Sequence, residues 1–482
     1  MLTTLLLLGC SLYLHSQDFY HQLYENYQQY KEESLKTRRF THDQILPLIT
    51  PLEDNELFEV TRVGTSIEGR SLNLISFGKG DIDVLLWSQM HGDESTATMA
   101  LFDIINFFKA ADFKDQKSEM LSRLRIHFLP MLNPDGAQRF TRRNALDIDM
   151  NRDAVRLQAP ESRTLKRVRD SLEADFGFNL HDQSTYYNAS RTPKSAAISF
   201  LAPAYNYQKD VNTIREKSMK LIVYMNAIIQ EFAPGHIGRY NDDFEPRAFG
   251  DNIQKWGTST VLIESGGYPG DPDKQFLRKL NFVSIIAAMQ AIASQDYLKS
   301  NTADYFEIPE NDRKLFDLKL SKVSYELLGN TYILDLGINT PQIPSDTNKG
   351  YYQKGRIDDM GDLSTHYGYQ SLDASSYTVV PAKVYPDSFA TIADVFKSNL
   401  KSILDQGYGY VVVEQIPEQQ KSIALPVHVL AKNEEPKFSL HLGANPCFFL
   451  KKDGRLRYLI TNGFLVDLAQ PKANFTNALI YN

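Results

Sequence analysis

The sequence predicts an α/β unit with a mixed, largely parallel sheet flanked by helices, followed by a smaller β-rich unit. Three observations predict it. Strand and helix patterns alternate between residues 60 and 297, as in chains that build parallel sheets. Asp83–Ser88 is apolar without alternation, the mark of a strand covered on both faces. From Tyr305 onward the runs are short, aromatic and β-branched, separated by Gly, Pro, Asn and Asp.

Taken in order, residues 17–50 read as charged, Tyr-rich helix. Val60–Gly64 and Ser71–Phe77 read as strands, with Ile67-Glu68-Gly69-Arg70 in the turn between them. Glu94–Lys109 places Ala97, Leu101, Ile104, Ile105 and Phe108 at helical spacing. Leu124–Leu132 returns to strand, and Glu161–Asp175 to helix. A strand then closes at His181, and another spans Ala197–Leu201. A long helix covers about 211–232, a strand covers Thr258–Glu264, and a closing helix covers Asp273–Tyr297. One helix is expected near Ile392–Gln406 inside the β-rich unit. The expected organisation is a signal peptide over 1–16, a catalytic unit over 17–300 and an accessory β-rich unit over 305–482.

The chain has 482 residues, enough for two or three domains of about 150 residues each. Net charge is −7 with both signs interspersed, and there is neither a basic stripe nor a basic tail. Nothing therefore points to nucleic acid, and no nucleic-acid partner is expected. The apolar run within residues 5–14 is too short for a span of about 20 residues and fits the apolar region of a signal peptide. Ser16 is small enough to precede cleavage. Leu7-Leu8-Gly9-Cys10 also fits a lipoprotein box, with Cys10 as the lipidated residue. A secreted or periplasmic protein is expected, a membrane-anchored lipoprotein is the alternative, and no transmembrane span is expected. Cys447 is then the one thiol of the mature chain and reads as a small buried hydrophobe.

The chemistry sits at strand ends, where open α/β sheets collect it. His91 and Glu94 lie three apart at the entry to a helix, so both can face one ion, and His181 arrives from another strand. Two imidazoles and a carboxylate suit zinc, and three protein ligands leave a position open for water. Asn151 and Arg152 suit the free carboxylate of a peptide, since a guanidinium grips it bidentately and an amide adds a donor. Asp149 can accept the other ring proton of a zinc histidine. Arg142 and Arg143 are adjacent candidates for polarising a scissile carbonyl. Glu264, closing an apolar strand, can take a proton from water and pass it to a leaving amine. His127, in mid-strand, reads as a hydrogen-bonded core residue. There is no Gly-x-Ser-x-Gly elbow, which argues against a serine hydrolase.

These residues resemble the zinc carboxypeptidases of the M14, carboxypeptidase A-like, group over roughly residues 40–298. His91-Gly92-Asp93-Glu94 resembles the first metal motif, and Asn133-Pro134-Asp135-Gly136 the turn that follows it in the family. The stretch from Arg142 to Arg152 matches the arginine-to-Asn-Arg segment without a gap, a register that selects Arg142 over Arg143. Ser66–Arg70 is similar to the hairpin before the site, and His181 and Glu264 fall where the third ligand and the catalytic glutamate belong. The resemblance implies one zinc ion, a peptide or protein C-terminus as substrate, and hydrolysis of the last peptide bond by metal-activated water. It also implies a mobile tyrosine over the substrate terminus, for which Tyr240 lies in the right stretch. Asp182-Gln183 departs from the small residues that many members carry there, and the distance from Glu94 to His181 is short. The alternative expectation is a related metallohydrolase acting on a non-standard amide, such as a peptidoglycan stem peptide or an acyl-amino acid. A non-catalytic binding protein that keeps the fold is expected to have lost a ligand or the glutamate, and neither is missing.

Overall fold

The run read as a doubly covered strand lies deep inside an eight-stranded sheet. In the computed structural model, which describes residues 18–345, 350–436, 438–471 and 475–481, the chain divides into one unit through Arg313 and a second from Lys314. The expected signal peptide and Cys10 lie outside the described residues.

The strands of the first unit are β1 (Glu59–Thr65), β2 (Ser71–Phe77), β3 (Ile82–Ser88), β4 (Leu124–Leu129), β5 (Phe176–Asp182), β6 (Asn188–Ala189), β7 (Ile198–Leu201), β8 (Ile237–Arg239), β9 (Ser259–Ser265) and β10 (Asn311–Asp312). The large sheet has the order β1-β2-β4-β3-β5-β9-β7-β8. Its centre, β4-β3-β5-β9, is parallel, while β1 and β2 pair antiparallel and β7 runs antiparallel to β9. The helices are α1 (His42–Ile49), α2 (Thr96–Lys109), α3 (Lys114–Arg123), α4 (Pro134–Arg139), α5 (Pro160–Leu172), α6 (Thr213–Phe232), α7 (Phe249–Lys255), α8 (Gln275–Ser294) and α9 (Ala303–Glu307).

Strand β3 shows why its sequence does not alternate. Val84 and Leu86 join a core with α2, α6 and α8, whereas Leu85 and Trp87 join a second core with α5 and α7. All four side chains are fully buried. Full burial of side chains of this size is worth roughly 1.5–3 kcal/mol each, so they fix β3, and with it the point where the chain leaves the sheet at His91.

Two expectations change in this unit. Residues 17–50 are not one helix: a helix covers 18–25, a single 3-10 turn covers Tyr27–Gln29, and α1 follows later. The intervening chain forms turns and bends, held by buried Arg278, which pairs with Asp103 and donates to the carbonyls of Glu32 and Leu35. Helix α8 is long and apolar enough to cross a membrane by length and composition, and most of it is buried inside the unit. The unit also ends later than expected, at Arg313 rather than near 300. Tyr305 is fully buried there, its hydroxyl accepts the Ala202 amide at 3.1 Å, and β10 pairs with β6.

In the second unit Leu315–Leu327 pairs antiparallel with Asn330–Asn339 across a turn in which Leu328 and Gly329 both adopt positive φ. That hairpin belongs to one large sheet. A second sheet contains Tyr408–Gln415, His428–Leu430 and Ala478–Tyr481. The helix expected at Ile392–Gln406 is two, Ile392–Lys397 and Leu400–Asp405, because Ser398 is extended and Asn399 caps the second by accepting the Ser402 amide.

Candidate active site

His91 and Glu94 lie in the turn between β3 and α2, closed by the Glu94 amide donating to the His91 carbonyl at 3.1 Å. The intervening Gly92 is required: a Cβ there would lie 2.0 Å from the carbonyl carbon of Gly136. Gly136 belongs to the Asn133-Pro134-Asp135-Gly136 segment that starts α4, and the Asn133 side chain caps that helix by accepting the Gly136 amide at 2.9 Å. The two motifs are therefore two halves of one close backbone contact. His181 and Glu264 come from the carboxyl ends of β5 and β9, where they are direct neighbours across the parallel ladder.

These elements bring together the side chains singled out in the sequence. His91 Nδ1 is 2.7 Å from Glu94 Oε1, His181 Nδ1 is 2.6 Å from Glu94 Oε2, and the two Nδ1 atoms are 3.2 Å apart. Among the described residues this is the group of His, Cys, Asp or Glu side chains whose ligand atoms converge within 4.8 Å. His91 Nε2 faces Asp149 Oδ1 at 3.1 Å, and Arg142 Nη1 donates to His91 Nδ1 at 3.0 Å. Asp149 thus holds a hydrogen on His91 Nε2, which leaves Nδ1 as the ring atom turned toward Glu94 and His181. Both Nδ1 atoms and the Glu94 carboxylate converge closely enough to share one cation. Two imidazoles and a carboxylate are a donor set of zinc type, and the residues fit that metal.

Asp149 does two things. Its Oδ2 accepts Nε and Nη2 of Arg142 at 3.1 and 3.0 Å, and its Oδ1 faces His91. Burial raises its pKa, but the hydrogen bond and charge of His91 and the charge of Arg142 outweigh burial and hold the carboxyl below the usual range. Arg142 Nη1 also reaches Glu94 Oε1 at 3.2 Å, so the guanidinium borders the donor cluster. Arg143 instead donates to the carbonyl of Asp147. Glu264 is nearly buried, and its Oε2 has no hydrogen-bond partner among the described residues. Burial first, and then the charge of Glu94, pushes its carboxyl well above the ordinary glutamate range.

A cleft of about 340 Å³ joins these groups to Asn151, Arg152 and Tyr240. Asn151 Oδ1 accepts the Phe249 amide at 2.9 Å, which fixes the side chain to the start of α7. Arg152 Nε is held by Glu245 Oε2 at 3.3 Å. Tyr240 follows β8; burial first and then the charge of Glu264 raise its pKa, so its hydroxyl lies within the field of the site. His127 has the core role expected of it, bonded to Ser76 and Asp83.

Residues 51–218, which carry the ligands and the Arg142–Arg152 segment, match the zinc carboxypeptidase family Peptidase M14. This stretch is a zinc carboxypeptidase domain. Among relatives of that domain, carboxypeptidase SOL1 of Arabidopsis thaliana is 27% identical over 175 residues, covering 30% of this chain and 35% of its own. The Arthroderma benhamiae protein named "Probable carboxypeptidase 2" is 28% identical over 145 residues, covering 28% of this chain and 26% of its own. The chain spans about a third or less of the length of the curated relatives it matches. A metallo-carboxypeptidase structure from Burkholderia cenocepacia superposes at TM-score 0.43 with 15% identity, covering 53% of this chain and 70% of that one.

The first unit also contains groups that sequence reasoning missed. Asn179, two residues before His181 and so on the same face of β5, lines the cleft, and its Oδ1 is buried with no partner among the described residues. Its spacing from His181 was the available signal. Lys274, buried behind the site, reads in sequence as an ordinary charge at the start of a helix.

Proposed function

We propose that the chain is a zinc-dependent metallocarboxypeptidase that removes the C-terminal residue of peptides or proteins, with one zinc ion held by His91, Glu94 and His181. The observation that carries this reading is that a three-ligand donor set, a buried carboxylate and a carboxylate-binding pair open onto one cleft. Bound zinc would supply a Lewis acid and a lowered pKa for water. Asn151 and Arg152 grip the terminal carboxylate; with Asn151 Oδ1 already engaged, its Nδ2 is the donor. Substrate binding exchanges the Arg152 contact with Glu245 for one with the peptide terminus. Arg142 Nη1 donates to the scissile carbonyl oxygen as negative charge develops on it. Glu264 takes a proton from water and returns it to the leaving amine, and a carboxyl with a raised pKa is suited to do both. Tyr240 closes over the bound terminus. The same proposal has the chain secreted or periplasmic, with lipidation at Cys10 as the alternative; the mass of the mature N-terminus separates them.

A panel of peptides varied in the last residue, with and without a chelator, tests the reading. Single C-terminal residues should be released, and release should stop on chelation. Internal cleavage, or turnover that survives complete zinc removal, overturns it. Glu264→Gln should keep its zinc and lose turnover by at least about a hundredfold, the scale of positioned acid–base catalysis. Full activity in that variant removes Glu264 from the mechanism.

A further inference from the structure

Behind the three ligands lies a second charged cluster that the mechanism above does not use. Lys274 caps α8 in the left-handed region, at φ 52°, an uncommon conformation for lysine, and is nearly fully buried. Its ammonium donates to Asp182 Oδ2 at 3.0 Å and to the Ser265 carbonyl at 2.7 Å. Asp182 Oδ2 also accepts the Thr96 hydroxyl at 2.7 Å. Each of these three partners adjoins a residue of the site: Asp182 follows His181, Ser265 follows Glu264, and Thr96 opens the helix behind Glu94. The Asp182 amide donates to Glu94 Oε2 at 3.2 Å, the oxygen that also meets His181 Nδ1.

Burying an ammonium and a carboxylate costs several kcal/mol per ion unless geometry and further hydrogen bonds offset it. An apolar pair would fill this space without that cost. The ionic pair does something an apolar pair cannot. Glu94, Asp182 and Glu264 are three carboxylates in one nearly dry region. Lys274 sets a positive charge against these carboxylates from the side away from the ligand atoms, whereas Asp149 is paired with Arg142. The pair also pins the peptide plane between His181 and Asp182, which aims the amide at Glu94.

We propose that Lys274, acting through Asp182, is a positioning residue of the metal centre: it fixes the ends of β5 and β9 and the Glu94 carboxylate, and adds a buried positive charge to the acidic surroundings of a bound divalent ion. The proposal rests on the zinc reading of His91, Glu94 and His181. It assigns a purpose to Asp182, the residue at which the chain departs from the small side chains common in the resembling family.

The test uses the full chain with Lys274→Met, Lys274→Arg, Asp182→Asn and the double variant Asp182→Asn/Lys274→Met. Zinc affinity is measured by competition with a chromophoric chelator, alongside kcat, KM and the melting temperature of metal-free protein. Lys274→Met should weaken zinc binding and lower kcat by about 10- to 100-fold each, the scale for groups that orient metal ligands, with KM little changed. Lys274→Arg should recover part of both. The double variant should bind zinc no more weakly than Lys274→Met alone, because the unbalanced charge is gone. Zinc affinity in Lys274→Met within about threefold of wild type overturns the proposal, as do losses that simply multiply in the double variant. If Lys274→Met does not fold, Asp182→Asn decides: unchanged zinc affinity there overturns the proposal too. A wild-type chain that binds no zinc overturns the reading beneath it as well, whereas failure confined to the variants leaves that reading standing.

Discussion

At the scale of single residues, Asp149 is where tautomer control and oxyanion chemistry meet. One oxygen holds the His91 Nε2 hydrogen and the other holds two nitrogens of Arg142, leaving Nη1 of that arginine to face the donor cluster. Asparagine at this position keeps the shape but loses the charge, and its NH2 group must point at either the His91 Nε2–H or the guanidinium. Both orientations set donor against donor. Asp149→Asn should therefore weaken zinc binding by about 10- to 100-fold and lower kcat further, because Arg142 is released as well. Chelator competition measures the first effect and steady-state kinetics the second; a variant with native zinc affinity shows that His91 holds its tautomer without this carboxylate. Asp149 was readable from sequence because Arg142 to Arg152 is one contiguous segment. Lys274 was not, because its burial depends on a left-handed cap that lysine rarely adopts and on Asp182, a partner 92 residues away in sequence.

At the scale of elements, the β3–α2 turn and the start of α4 are locked by glycine on both sides. A Cβ on Gly92 meets the backbone at 2.0 Å, and one on Gly136 meets the Arg143 carbonyl at 2.7 Å. At Gly136 the Asn133 side chain is nearer still, at 2.5 Å, but at Gly92 every close contact is backbone, so there the backbone itself must move. Gly92→Ala should cost about 1–3 kcal/mol or more of stability, the usual scale of overpacking, and should weaken zinc binding because the displaced turn carries both His91 and Glu94. Thermal melting of the metal-free protein and chelator competition read the two effects separately. A lowered melting point with native zinc affinity means that the turn adjusts without moving its ligands. Strands of the central sheet were legible because burial on both faces leaves an unmistakable apolar run. Helix α3 was not, since Lys114–Arg123 is mostly polar and buries only Lys117 and Met120, and α4 is too short at six residues to show a period. Residues 17–50 were misread because the Arg278 that holds their non-helical part lies about 240 residues away in sequence.

At the scale of the whole chain, the two units have separate cores, and the residues between 301 and 313 belong to the first. Composition changes at Tyr305, which is why the boundary looked earlier, but Tyr305 is a fully buried core residue of the first unit. A chain ending at Arg313 should fold and bind zinc like the full protein. A chain ending at Ser300 loses the Tyr305 ring, a deletion worth about 3–5 kcal/mol, together with the β6–β10 pairing. Its melting point should drop accordingly. The full chain should then show a second unfolding transition that the chain ending at Arg313 lacks, and His428 gives that transition a pH signature. His428 is fully buried between Tyr410 and Tyr481, its Nδ1 accepts the Leu479 amide at 3.1 Å, and burial pushes its pKa down to about 4. Unfolded histidine titrates near 6.5. Between those values the unfolded chain takes a proton that the folded unit refuses, so stability is lost as pH falls from about 6.5 to 4, by roughly 3 kcal/mol across the window. His428→Asn keeps an acceptor for the Leu479 amide and does not titrate. The difference between wild type and variant in the second transition, followed from pH 7 to 4.5, should therefore shift steadily in favour of the variant as pH falls. A difference that stays constant with pH shows that His428 is protonated in the folded unit after all, and a shift in the first transition shows that the two units do not unfold independently.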